Sequence, residues 1–348
     1  MSTLGQAIEM ARRAGGWTQG TIAERAGITQ AALSRYENDM REPDEESLRR
    51  LAEALEVTPS LLRRAGALRG AMAAEAHMRR NKTAPATVWR RLEARLNMHR
   101  CHAHQLFDEV SLQADQHIPR FDPFDTLPAD AARMARMQWR MPIGPVKSLV
   151  AWIEAAGCLI IDEDFDTSHV AGMSQWIEFQ PVMMINQSSP TDRQRWTLAH
   201  ELGHLCLHSG DIPSEMETQA DEFAAEFLMP ADVIRPQLRN LSLGKLIDLK
   251  AQWGVSIQAL IQRANGLDLL TRDKQAAFYK QLSARGWRRV EPGSDQLSRE
   301  IPRLAKAIGQ SLREKGLSND EIAEVAGYSA SNHSRNPFLP AESRLRVL

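Results

Sequence analysis

Cysteine is scarce in this chain of 348 residues: Cys101, Cys158 and Cys206 are its only thiols. Three well-separated cysteines make no disulfide framework, so a reducing, cytoplasmic compartment is expected. Net charge is nearly absent, at −1, so the chain as a whole does not attract nucleic acid and any DNA contact must come from a local patch. Long apolar runs are missing as well. No stretch of about 18 uncharged apolar residues exists, which argues against a membrane span. The first residues, MSTLGQAIEMARRAGGW, carry charges and no apolar core, so no secretory signal is expected. No internal repeat or low-complexity tract stands out. What is present is an ordinary globular balance, 43% hydrophobic and 25% charged, over a length that suggests two or three domains.

Residues 1–65 read as short helices, with apolar positions at helical spacing (Leu4, Ile8, Ala11; Ile22, Ala23, Ala26; Leu48, Leu51, Leu55) and Thr18 and Thr29 where N-caps belong. Residues 66–127 read as a basic helical linker. Over 63–100 there are ten Arg and Lys against Glu75 and Glu93. Such a run is expected to be a solvated, partly helical face; the functional alternative is an arm along DNA phosphates. The first 62 residues cannot supply that charge, with seven basic side chains against ten acidic ones. IPRFDPFDTLP (118–128) looks like an inter-domain joint. Helices are expected at PADAARMARMQWRM and at GPVKSLVAWIEAAG, a strand at CLIIDEDF, a hairpin or strand pair at WIEFQPVMMINQ, and further helices from Thr191, over 215–228 and over 243–265. Residues 266–348 read as a helical C-terminal extension.

The strongest chemical pattern is His200-Glu201-Leu202-Gly203-His204, an H-E-x-x-H motif. Residues four apart on a helix share a face, so His200 and His204 can present two imidazoles to one metal ion. Glu201 flanks that face, within reach of a metal-bound water, and suits a general base. A catalytic zinc ion needs a third protein ligand. Glu217 and Asp221, four apart in a second helical stretch, offer a ligand and a carboxylate to orient an imidazole. His208 is the rival third ligand. It lies about 12 Å in rise from His200 along a straight helix, which makes convergence hard unless the helix ends first.

DRQRWTLAHELGHLCLH followed by ETQADEFAAEFLMP resembles the ImmA/IrrE family of zinc metallopeptidases over roughly residues 128–265. The resemblance implies an α+β zincin-like (gluzincin-type) domain with Zn2+ held by His200, His204 and Glu217 and with Glu201 as base; the spacing leaves Asp221 and His208 for the shell around the ligands. It also implies a protein substrate such as a repressor or antitoxin, in a stress, mobile-element or phage-defence response. Phe227, where leucine is usual, and Asp221, where asparagine is common, are mild departures.

WTQGTIAERAGITQAALSRY (17–36) resembles the helix-turn-helix of Cro/C1-type (XRE-family) repressors, with Gly27 at the turn and residues 41–62 completing a five-helix, all-α domain. Residues 17–38 would then meet a double-stranded operator. Thr29, Gln30, Ala31, Ser34 and Arg35 would face outward: Gln30 can bond adenine bidentately, Arg35 can reach guanine or phosphate, and Gln19 suits a phosphate contact. A homodimer would strengthen binding. Acidic Glu37, Asp39, Glu42 and 44–46 leave open a module that binds protein instead.

Weaker patterns are a His99, Cys101, His102, His104 cluster, Cys206 beside the metal helix, and GLSNDEIAEVAGYS (316–329), which has a faint helix-turn-helix look but suits packing or a peptide-substrate role equally well. The expected whole is a multidomain protein, 1–65 and 128–265 being its folded units, that acts as a DNA-binding metalloendopeptidase. The alternatives are an autorepressor whose zinc site is sensory or structural, and a toxin-like anti-phage protease.

Overall fold

The computed structural model describes residues 3–67, 85–110, 114–177, 180–209, 213–330 and 335–339. Five short helices come first: α1 (Leu4–Ala14), α2 (Gln19–Arg25), α3 (Gln30–Glu37), α4 (Glu45–Ala54) and α5 (Pro59–Ala67). Thr3 and Gln6 form a reciprocal capping box on α1, and Thr18, Thr29 and Asp44 each accept a backbone N–H in the turn that follows. These side chains satisfy donors that a helix leaves open at its start. Gly27, at φ +63°, turns the chain from α2 to α3 in the left-handed region that favours glycine. Ile8, Ile22, Leu33, Leu51 and Leu61 close the core of this unit.

Next comes α6 (Ala86–Glu109). The sequence places this stretch in a solvated basic linker, but the structure buries it on two sides. Ala94, Met98 and Cys101 enter the core of the five-helix unit, while Leu92, Leu96 and Leu106 pack towards the sheet described below. A helix turning every 3.6 residues separates these sets onto two faces. Its arginines bind protein: Arg91 donates to the Phe165 carbonyl, and Arg95 to those of Ala14 and Asp164. Arg69, Arg79, Arg80 and Lys82, which carry much of the expected basic run, lie outside the described residues.

The rest follows as α7 (Pro128–Gln138), α8 (Leu149–Ala155), β1 (Leu159–Glu163), β2 (Gly172–Ile177), β3 (Gln180–Asn186), α9 (Thr191–Leu207), α10 (Met216–Leu228), α11 (Ala231–Ile234), α12 (Leu243–Trp253), α13 (Ile257–Gly266), α14 (Arg272–Ala284), α15 (Leu304–Glu314) and α16 (Asn319–Val325). The sheet runs β1-β3-β2, with β3 parallel to β1 and antiparallel to β2. Strand periodicity of two divides its side chains cleanly. Leu159, Ile161, Val182 and Met184 face α6, α15 and α16, while Ile160, Met183 and Ile185 join α8, α9 and α10 in the largest core. The single helical stretch expected over 243–265 is two helices, because Gly254 at φ +64° ends α12 with a left-handed cap. The proline-rich stretch near 121 runs along the end of α9, with Phe121 N–H donating to the Cys206 carbonyl at 2.8 Å. No helix among the described residues is long and apolar enough to cross a membrane.

Candidate metal centre

Helix α9 carries His200, Glu201 and His204 through the interior, and α10 crosses it closely. Gly203 makes that crossing possible: a Cβ there would lie 3.1 Å from Phe223 Cβ and 3.2 Å from Ala220 Cα. The close approach sets Glu217, at the start of α10, against both histidines. His200 Nε2 and His204 Nε2 are 3.0 Å apart. Glu217 oxygens lie 3.6 Å and 3.4 Å from them. Among the described residues these three side chains form the one group of His, Cys, Asp or Glu whose ligand atoms all lie within 4.8 Å of one another.

Each imidazole is fixed from behind. His200 Nδ1 sits 2.8 Å from Asp221 Oδ1. His204 Nδ1 sits 2.9 Å from His208 Nδ1, whose other nitrogen is 2.8 Å from Gln219 Oε1. His208 therefore stands behind His204, away from the point where the two Nε2 atoms meet, and Glu217 occupies the third position. Helix α9 ends at Leu207, with His208 as its C-cap, so the rotation that lets His208 reach the back of His204 begins where helical geometry stops. Two Nε2 atoms, each on a ring held by its Nδ1, and a carboxylate oxygen make a donor set that fits a divalent cation.

The electrostatics agree with that fit. Burial opposes a charge on His200, but hydrogen bonds to Asp221 and Glu217 outweigh it and raise the imidazole to about 9. Burial pushes His204 down to about 3. Burial also works against the Glu217 charge, yet hydrogen bonds to His200 and His204 hold its carboxyl well below the usual carboxylate range. The site thus pairs an anionic carboxylate with one neutral imidazole, and a cation would compete only with the proton on His200. Access comes from one side: His200 and His204 are 1% and 0% exposed, whereas Glu217 and Asp221 are 40% and 37% exposed.

Glu201 is buried beside this group. Ser174 Oγ, from β2, donates to its Oε2 at 2.6 Å. The sequence reading missed Ser174 and Gln219. Gln219 lies in the same helical stretch as Glu217, so its spacing from Glu217 was visible; Ser174 comes from a strand 27 residues before its partner, and no local pattern marks it. The His99, Cys101, His102, His104 cluster does not gather. His99 faces Glu163 at 3.2 Å, His102 Nδ1 donates to the Ala326 carbonyl, and Cys101 enters the helical core. Burial raises the Cys206 thiol, which packs in the core.

On the five-helix unit, Thr29, which caps α3, and Gln30, Ala31 and Arg35 along it are exposed, and Ser34 is half-buried. Gln19 is turned inward: its Nε2 donates to Glu37, which also takes two hydrogen bonds from Arg12.

Residues 8–62 match the helix-turn-helix family, and residues 153–265 match a peptidase family described as the IrrE N-terminal-like domain. The first match spans α1 to α5; the second runs from α8 to α13 and contains every residue of the metal group. No curated protein matches the chain. The two matches, in that order, support a DNA-binding protease or regulator.

Proposed function

We propose that this chain, a helix-turn-helix domain joined to an IrrE-like peptidase domain, is a DNA-binding zinc metalloendopeptidase that cleaves a regulatory protein. The convergence of His200, His204 and Glu217 on one point, with Glu201 beside it, carries this reading. A zinc ion bound there would make a water molecule acidic and polarise a peptide carbonyl. His200 and His204 are oriented by Asp221 and His208, so their Nε2 atoms need no rearrangement to bind. Glu201 takes the proton from the attacking water and returns it to the leaving amine. Ser174 holds the Glu201 carboxylate in place for both transfers.

The exposed row on α3 suits the major groove, with Gln30 and Arg35 reading base edges. Two copies of the chain on neighbouring half-sites would give the domain useful affinity. The substrate class is another regulator, a repressor or antitoxin, in a stress, mobile-element or phage-defence response; toxin-like cleavage within the host is the other form of the same chemistry.

A Glu201→Gln trap tests the reading. The variant keeps the metal ligands but has no base, so it is expected to retain its substrate uncleaved in cells where the wild type removes it. One observation favours a second reading: Glu201 is 1% exposed, as a metal site used for sensing or structure would allow. If Glu201→Gln preserves every effect of the wild type, the sensory site is correct and the peptidase is not.

A further inference from the structure

The sequence shows no obvious repeat, but the structure contains one. Helix α15 begins at Leu304 and α1 at Leu4, and both run eleven residues; α16 begins at Asn319 and α2 at Gln19, and both run seven. The register is kept without a gap. Ile8, Arg13, Gly16, Ile22, Ala23 and Gly27 are matched by Ile308, Arg313, Gly316, Ile322, Ala323 and Gly327. Thr18 and Ser318 cap the second helix of each copy, accepting the N–H of Thr21 and Glu321. Gly27 and Gly327 both take the left-handed turn, at φ +63° and +80°. The hydrogen bonds recur too: Trp17 N–H to Arg12 O and Ile28 N–H to Ala23 O in one copy, Leu317 N–H to Leu312 O and Tyr328 N–H to Ala323 O in the other. The kept residues are scattered: Ile22, Ala23 and Ala26 of the core and Gly16 and Gly27 of the turns recur, but Ala11 and Leu33 do not, which is why the likeness is faint by eye.

The copies part where the first goes on to its DNA-facing helix. Gly27 is exposed, whereas a Cβ on Gly327 would lie 2.7 Å from Leu61. Ile28 is half-buried; Tyr328 is buried, stacked on His102 at 3.8 Å and bridged to Val57. Thr58 N–H donates to the Gly327 carbonyl at 2.9 Å, and Ser329 N–H to that of Glu56 at 3.3 Å. Arg335, the counterpart of Arg35, lies 3.4 Å from Glu56. His333 stands where Leu33 fills the first core, and Pro337 stands where Glu37 ends α3; 335–339 contain no α-helix. Helix α16 opens on Asp320 and Glu321 in place of Gly20 and Thr21, which repels phosphate where a reader would attract it.

The second copy is tied to the peptidase side as well. Glu154 of α8 accepts the N–H groups of Arg303 and Leu304, Gln105 of α6 donates to the Glu324 and Val325 carbonyls, and His102 donates to that of Ala326. The geometry points to a second helix-turn-helix copy, described from residue 304 to residue 330, that has exchanged DNA reading for an intramolecular dock. It fixes the α4–α5 turn of the first copy to α6 and α8, so that the DNA-reading and peptidase domains hold one orientation. The inference does not depend on peptidase activity.

Amide exchange on the full chain tests it. Tyr328→Ile restores the residue of the first copy and removes the stack on His102. Exchange at Val57 and Thr58 is expected to quicken about tenfold or more, with α2 unchanged. Tyr328→Phe is expected to behave as wild type, because Tyr328 Oη makes no hydrogen bond among the described residues. If Tyr328→Ile does not fold, Arg335→Ala, which removes an exposed partner of Glu56, takes its place with a smaller rise. Unchanged exchange at Thr58 in the folded variant overturns the dock. DNA binding supplies the second arm, using a duplex selected from a random pool by the full-length protein. Ala330→Glu, at the position equivalent to Gln30, is expected to change affinity less than twofold. A loss equal to that of Gln30→Glu would make the second copy a DNA reader and overturn the proposal.

Discussion

Ser174 Oγ donates a 2.6 Å hydrogen bond to Glu201 Oε2, across 27 residues of sequence, and Ser174 is fully buried. A strand therefore aims the carboxylate proposed as the base. Hydrogen bonds to charged groups contribute about 1.5–3 kcal/mol, so Ser174→Ala is expected to lower turnover about tenfold or more. The loss should fall on kcat with KM little changed, and zinc content should stay at the wild-type level. Steady-state rates on the substrate recovered with the Glu201→Gln trap check this; a loss confined to KM would refute the positioning role.

Asp221 holds His200 by Nδ1. Asp221→Ala is expected to weaken zinc binding about 10- to 100-fold without unfolding the chain, as loss of a carboxylate behind a metal-bound imidazole does. Competition against a chromogenic chelator measures it. Unchanged zinc affinity would remove Asp221 from the site.

Gly203 allows α9 and α10 to touch. Gly203→Ala places a methyl against Phe223 and the backbone of Ala220, so overpacking is expected to cost about 1–3 kcal/mol. The helices must separate to admit it, and Glu217 moves with α10. Thermal unfolding should show a lowered midpoint, with weaker zinc retention in the same variant.

His102 is buried, and burial pushes its imidazole down to about 3. The unfolded chain, near 6.5, binds a proton that the folded chain refuses until the pH approaches 3. Stability is therefore lost as pH falls below about 6.5, by about 2 kcal/mol from this residue at pH 5. Urea unfolding at pH 7 and pH 5 should show a smaller acid loss in His102→Gln than in the wild type. Equal losses would mean that His102 takes up a proton in the fold.

How much of this was readable in advance depended on whether partners were local. His200, Glu201 and His204 stand out because one helical turn separates the two histidines, and Glu217 and Asp221 repeat that spacing. Helices α7 and α8 were marked by Pro128 and Gly157, and β1 and β3 by short apolar runs, but of β2 only Trp176 and Ile177 fell within the expected strand pair. Helix α6 was not, because its arginines look solvated until Arg91 and Arg95 are seen to reach carbonyls far away in sequence. The segment from 304 was marked only by the faint helix-turn-helix look of 316–329: the kept residues are few, and only the shared caps, turns and register expose them as a set.

Metal analysis of the purified wild type beside His204→Ala tests the central claim most directly. The account predicts about one zinc ion per chain in the wild type, as a single three-ligand site requires, and a sharp fall in the variant. Wild type purified without chelator that carries no zinc, or a variant that keeps it, would contradict the metal centre and leave the DNA-binding domain as the main basis of function.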